Sequence, residues 1–321
     1  MRTTEYMKPS KIITAALAAL AAVLLLPATG LHAGDRVTER AREGMTGPRR
    51  QFRKVSKEFE VRKISIKVGA RKSFSVLFMA DNHLVHCDTR DSQQKGRLAQ
   101  CRSDEFPWGP LYFEYVMRYA REHGLPILHG GDMIDFVSEM NLDYAAKIFS
   151  EGNFLLVTPG NHEFSRLMGY FGPEKEDEDY KMLSYDKVQE AYPYDFRLSS
   201  KIVNGVNIVA IDDNYMRVTS EQWELVRREF ERGYPVVLMT HVPFYVDSER
   251  SAKGHSSCGT PGKSDETTLG FLEWLKAQPQ LKAVLAAHNH GGFFIEQFSP
   301  TAKQYVTAAT CDGGAYQIKF L

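Results

Sequence analysis

Five short blocks of this sequence bring carboxylate, amide and imidazole side chains together: Asp81-Asn82-His83, Gly131-Asp132-Met133-Ile134-Asp135, Gly160-Asn161-His162-Glu163, Thr240-His241 and His288-Asn289-His290. Oxygen and nitrogen donors of these kinds, without sulfur, suit hard-to-borderline divalent cations. Alternate residues, as in Asp81 and His83 or His288 and His290, can converge across a turn at a strand end. Alone, each block is weak. Asp81 could cap a turn, Asn161 after Gly160 could be a turn residue, and His241 could be a hydrogen-bonded core histidine. Their order carries the signal, because each block directly follows an apolar stretch.

Those apolar stretches read as the elements that position the chemistry. Ser73 to Ala80 is a short apolar run suited to a buried strand, PILHGGD supplies a second and FLLVTPGNHE a third. VVLMTH and KAVLAAH are two more. In open α/β sheets the carboxyl ends of strands are where sites are built. Between the strands, Pro110 to Gly124 has helical period with Gly124 as a stop signal. Helices are also expected over Asp143 to Ser150, from about Glu221 with Thr219 and Gln222 as a capping box (Ser220 being the alternative cap), and over Thr267 to Ala277. Asn204-Gly205 between two strand patterns is a hairpin signal. VRKISIKVG reads as an edge strand, and FFIEQF, QYVTAAT and AYQIKF close the chain as further strands. This mixture implies α/β layers with a mixed sheet or two packed sheets.

The series DxH, GDxxD, GNHE, TH and HxH over residues 81 to 290 resembles the calcineurin-like metallophosphoesterase family, and nearly the whole mature chain fits its length and strand order. The resemblance implies an α/β fold with a four-layer αββα sandwich of two mixed β-sheets. It implies hydrolysis of phosphomonoesters or phosphodiesters with two divalent metal ions per chain, and Mn, Fe, Zn and Co all accept such ligands. Asp81, His83 and His290 would hold the first metal, Asn161, His241 and His288 the second, and Asp132 would bridge them. His162 would stay unligated and act on the substrate, and Asp135 would accept a hydrogen bond from a ligand imidazole. Because the family's purple acid phosphatases have Tyr where this chain has Asp135, an iron–tyrosinate centre is not expected. One departure is Ala287, where the family usually has Gly; a modest backbone adjustment with retained ligands is expected. Two rivals remain at this stage. One is a binding protein that kept the fold without catalysis; the other is a metal hydrolase of non-phosphate esters, against which the absence of an HxHxDH run counts.

The rest of the chain bounds the setting. With 321 residues and 43% hydrophobic content, one large domain is expected. Lys+Arg and Asp+Glu are balanced at 40 each, so no overall basic field points to a nucleic-acid partner; the partner that the resemblance implies is a phosphate-ester substrate. Met1 to Lys11 is basic, Ile12 to Ala28 is uncharged and small residues follow Pro27. Residues 1–33 therefore read as a signal peptide, giving a periplasmic or extracellular protein, or a membrane-anchored one if the segment is retained. Residues 34–59 read as a polar lead-in and 60–321 as the catalytic domain. The even count of four cysteines permits disulfides after export, with Cys87–Cys101 the favoured pair. His129 is expected in the core and His86 and His255 in loops. Arg90, Arg97 and Arg102 could recognise substrate phosphate, but a solvated charged loop is the expectation, as it is for the acidic stretch Glu174 to Asp179.

Overall fold

Period-two alternation along the strands sorts their side chains between two apolar layers. In β2 (Phe74–Met79), Val76 and Phe78 face one core, while Leu77 and Met79 face another. The structure, a computed structural model, describes residues 48–168, 170 and 178–321. The expected signal peptide, 1–33, lies outside the described residues. So does most of the lead-in.

The first sheet runs in the order β1 (Glu60–Ile66), β11 (Gly314–Phe320), β2, β3 (Ile127–His129), β4 (Phe154–Val157). β2, β3 and β4 are parallel, and β11 pairs antiparallel with β2 and parallel with the edge strand β1. The second runs β5 (Ser199–Val203), β6 (Val206–Ala210), β7 (Val236–Met239), β8 (Leu281–Ala286), β10 (Lys303–Val306), β9 (Phe294–Gln297). Its four central strands are parallel and its two edge pairs antiparallel.

Ile318, Phe320, Val76 and Phe78 of the first sheet pack against Val206, Ile208, Val237 and Leu285 of the second. The outer face of the first sheet is covered by helices α3 (Gly109–Glu122) and α4 (Glu139–Glu151), through residues such as Val116 and Leu142. The outer face of the second is covered by α6 (Ser220–Glu231) and α8 (Glu266–Lys276), through Val226, Phe230 and Phe271. This is the expected four-layer αββα sandwich.

Local signals account for most element ends. Thr219 caps α6 in a full capping box with Gln222. Asn204 and Gly205 both have positive φ, 49° and 82°, the two-residue turn that joins β5 to β6.

Three expectations need correction. Helix α1 (Pro48–Glu58) lies within the stretch read as a polar lead-in, and the compact unit begins at Val55, which is buried along with Phe59. Helix α2 (Gln93–Glu105) occupies the stretch expected to be a charged loop, with Ser92 as its cap. The Cys87–Cys101 bridge is not formed, and all four cysteines are free. Cys87 packs with Leu98, Phe136 and Leu167, whereas Cys101 lies on the exposed side of α2, so the two thiols serve different surfaces.

Candidate metal centre

Every block lies just beyond the carboxyl end of a parallel strand: Asp81 and His83 after β2, Asp132 and Asp135 after β3, and Asn161 and His162 after β4. On the second sheet His241 follows β7, and His288 and His290 follow β8. The loops turn sharply enough that Asp81, His83, Asp132 and His288 adopt φ of 54°, 47°, 55° and 67°. Left-handed backbone at a residue with a Cβ costs roughly 1–3 kcal/mol and persists where the surroundings enforce it, typically at functional sites. Here the loops hold one another. Asp81 N–H donates to Gly131 O at 2.9 Å, Ala287 N–H to His241 O at 2.9 Å, and His288 N–H to Asp81 Oδ2 at 3.2 Å. Two glycines are required by close approach: a Cβ on Gly160 would lie 2.1 Å from Asp132 Oδ1, and one on Gly131 would lie 2.6 Å from Gly160 N.

Asp132 is the centre of the arrangement. Its Oδ2 lies 3.1 Å from His241 Nε2, 3.8 Å from His83 Nε2 and 4.0 Å from His162 Nε2. Asp81, His83 and Asp132 form one compact donor group, and Asp132, His241 and His288 a second that shares Asp132. The remaining atoms show what such groups are for. His83 Nδ1 is committed to Asp135 Oδ1 at 2.8 Å, and His290 Nδ1 to Asp312 Oδ2 at 3.2 Å. A neutral imidazole donating from Nδ1 presents a lone pair at Nε2. The two Nε2 atoms nevertheless face each other at 3.0 Å. His241 has Nδ1 on Gly130 O at 2.7 Å, while its Nε2 lies 3.1 Å from Asp132 Oδ2 and 3.2 Å from His288 Nδ1. Asp81 Oδ1 and Asn161 Oδ1 are buried without a hydrogen-bond partner. Donor atoms crowded onto one another and unpaired buried oxygens are costly unless cations, whether protons or metal ions, lie among them. The residues therefore fit two divalent ions.

Electrostatics agree. Burial disfavours charge on His162 and His241, but it is outweighed by Asp132 together with Asp135 at His162, and by Asp132 together with Asp81 and the Gly130 carbonyl at His241, which hold His162 at about 9 and His241 at about 10, so protons take up the negative charge. Burial drives His288 down to about 3. His162 differs from the other imidazoles. Its Nδ1 is 2.8 Å from Asp135 backbone O, its N–H donates to Asp132 Oδ1 at 2.9 Å, and its side chain keeps 13% exposure where that of His241 has 0%.

Several contributors were missed in the sequence. Glu163, buried, accepts N–H bonds from Asp132 (2.9 Å), Met133 (2.7 Å) and Gly160 (2.5 Å), so one carboxylate ties the β3 and β4 loops together. Its burial and the charge of Asp132 raise its pKa to about 7. Asp213, after β6, accepts the N–H groups of His241 and Val242 at 3.0 Å each. Arg102 is not in a solvated loop: it is 7% exposed on α2, with Nε on Asp135 Oδ2 at 2.6 Å and Nη2 on Oδ1 at 2.8 Å. Cys311 lies 3.9 Å from His290 Nδ1, a sulfur neighbour where none was expected, and burial holds its thiol well above its ordinary pKa. His129 is a core residue as expected, bonded to Asn82 Oδ1 at 2.6 Å.

The chain belongs to the calcineurin-like phosphoesterase family, whose sequence profile matches residues 74–292, a span that contains all seven expected ligands. Members of this family typically hold a dinuclear metal centre. Among solved structures, a dimetal phosphatase from Danio rerio is 12% identical, with a TM-score of 0.43 over 75% of this chain and 91% of that chain. A protein from Thermus thermophilus, TT1561, is 12% identical, with a TM-score of 0.42 over 75% and 91%. A 5'-nucleotidase from Candida albicans is 11% identical, with a TM-score of 0.41 over 79% of this chain and 47% of that chain. No curated protein sequence matches the chain significantly.

Proposed function

We propose that the protein hydrolyses phosphate monoesters or diesters at a dinuclear centre held by Asp81, His83 and His290 on one side, Asn161, His241 and His288 on the other, and Asp132 between them. The reading is carried by the facing imidazole nitrogens at 3.0 and 3.2 Å, which converge around a shared carboxylate. Bound divalent ions would supply Lewis acidity toward the phosphoryl oxygens and acidify an attacking water. The chain's own residues do the rest. Asp135 and the Gly130 carbonyl keep His83 and His241 donating from Nδ1, so their Nε2 atoms stay aimed inward. Glu163 fixes the backbone on either side of Asp132. His162, with Nδ1 committed to Asp135 O, presents Nε2 to the site and can pass a proton to the leaving oxygen. Mn, Fe, Zn and Co all suit the donors.

Purified mature protein reconstituted with Mn²⁺ or Zn²⁺ should carry two ions per chain by elemental analysis, and chelation should abolish turnover across a panel of phosphate mono- and diesters. Only trace metal after reconstitution would sink the proposal; the panel separates phosphatase from phosphodiesterase.

We further propose that this chemistry occurs outside the cytoplasm. The support is the basic start, the uncharged run Ile12 to Ala28 and the small residues after Pro27. N-terminal sequencing of protein from the native host should begin after about residue 33, in keeping with that signal pattern. Intact Met1 in a membrane fraction would instead assign an anchor.

A further inference from the structure

Helix α2 lies outside the five blocks, yet it delivers a cation to the back of the site. Arg102 grips Asp135 with two N–H groups, Nε on Oδ2 at 2.6 Å and Nη2 on Oδ1 at 2.8 Å. A two-pronged guanidinium fork fixes the plane of a carboxylate, not merely its position. The Asp135 side chain is fully buried, so the Arg102 fork is a cationic partner brought to it inside the protein.

The same carboxylate serves two imidazoles of the centre. Its Oδ1 lies 2.8 Å from His83 Nδ1 and 3.2 Å from His162 Nδ1, which also lies 2.8 Å from the backbone O of the same residue. The two rings stand edge to face, 4.4 Å apart. Just beyond the helix, Phe106 stacks on His83 at 5.0 Å, with the Arg102 guanidinium 4.9 Å from the Phe106 ring. Arg102 also pairs with Glu105. With its fork on Asp135 and its other amino group on Glu105, every nitrogen of the guanidinium has a carboxylate partner within the protein.

We propose that Arg102 is a positioning residue: by fixing the Asp135 carboxylate it orients His83 toward the metal and His162 toward the leaving group together. The turnover part of this inference rests on the phosphoesterase reading; the metal part does not.

The test compares Arg102→Lys and Arg102→Met with wild type in the full mature chain. Mn²⁺ affinity is measured by chelator competition, and kcat and KM on p-nitrophenyl phosphate, bis(p-nitrophenyl) phosphate and an alkyl phosphate, whose leaving oxygen needs a proton. Losing a group that orients a ligand typically costs 10–100-fold in metal affinity or activity. Arg102→Met should lose that much in both Mn²⁺ affinity and kcat, with KM little changed. Arg102→Lys, which keeps the charge but not the fork, should fall between. Wild-type Mn²⁺ affinity and kcat in either folded variant would overturn the proposal, as would a raised KM at unchanged kcat, which would assign Arg102 to substrate binding. If Arg102→Met does not fold, Arg102→Lys decides; if neither folds, Arg102 is a stability residue and the proposal fails. Should wild type bind metal but turn over no ester, the phosphoesterase reading falls, and chelator competition still tests Arg102.

Discussion

Asp132→Asn is expected to cost the protein both metal ions and at least about 10³ in turnover, the upper end of the usual cost of losing one electrostatic group at an active site. Asp132 is placed to serve both donor groups, since Asp81 and His83 share it on one side and His241 and His288 on the other. Asparagine keeps the shape but replaces a shared negative oxygen by an amide. If the amide nitrogen takes the place of Oδ2, it also turns a donor toward His241 Nε2, 3.1 Å away. The metal-free protein gives a second readout. There Asp132, helped by Asp135 at His162 and by Asp81 at His241, keeps His162 charged up to about pH 9 and His241 up to about pH 10, against burial that opposes both. Groups with raised pKa stabilise the folded state fully below their unfolded value near 6.5, and that stability fades as pH rises through the folded values. Asp132→Asn should therefore weaken this pH dependence in the metal-free protein, leaving the part due to Asp135 and Asp81. In wild type, metal uptake should release protons and strengthen as pH rises. Elemental analysis and a pH series of thermal melts check both. Retention of one full equivalent of metal by the variant would show that Asp132 serves one ion, not two.

The strands and their chemistry were legible because both depend on short-range pattern. Apolar runs such as Ser73 to Ala80 ended in the donor residues, and the parallel strands of both sheets bring those ends to one edge. What was not legible depends on pairings far apart in the chain. Helix α2, QQKGRLAQCRSDE, has no apolar stripe: only Leu98 and Arg102 are buried, and Gly96 weakens the helical signal. Arg102 is buried because its partner Asp135 lies 33 residues on, across a different loop. Asp213 meets His241 only because β6 and β7 are neighbours. The cysteine expectation came from compartment and spacing, neither of which reports that Cys87 packs inward while Cys101 faces out. Val55 and Phe59 were hidden in a charge-rich stretch whose composition resembles a tether.

His162→Ala should separate chemistry from metal binding. The ring is held by its own backbone N–H on Asp132 Oδ1 at 2.9 Å and by Nδ1 on Asp135 O at 2.8 Å, and it belongs to neither group that shares Asp132. Removing it should leave both ions bound. Turnover should fall by roughly 10²–10⁴, the usual scale of a lost general acid or base. The fall should depend on the leaving group. An alkoxide needs a proton as the ester bond breaks, whereas p-nitrophenolate departs without one, so alkyl esters should lose more than nitrophenyl esters. Protonated His162 is favoured by Asp132 and Asp135, which outweigh burial and hold its pKa at about 9 without metal. Nearby divalent cations favour the neutral ring and lower that value. In the loaded wild type, turnover of alkyl esters should thus decline on the alkaline side as His162 loses its proton, at a pH below the metal-free value of about 9, and the variant should lack that limb. His241→Ala, by contrast, should lose metal and activity together whatever the leaving group. The measurement is metal content beside pH profiles on one alkyl and one nitrophenyl ester. Equal losses on both esters would reduce His162 to a phosphate-binding group, and loss of metal in His162→Ala would make it a ligand.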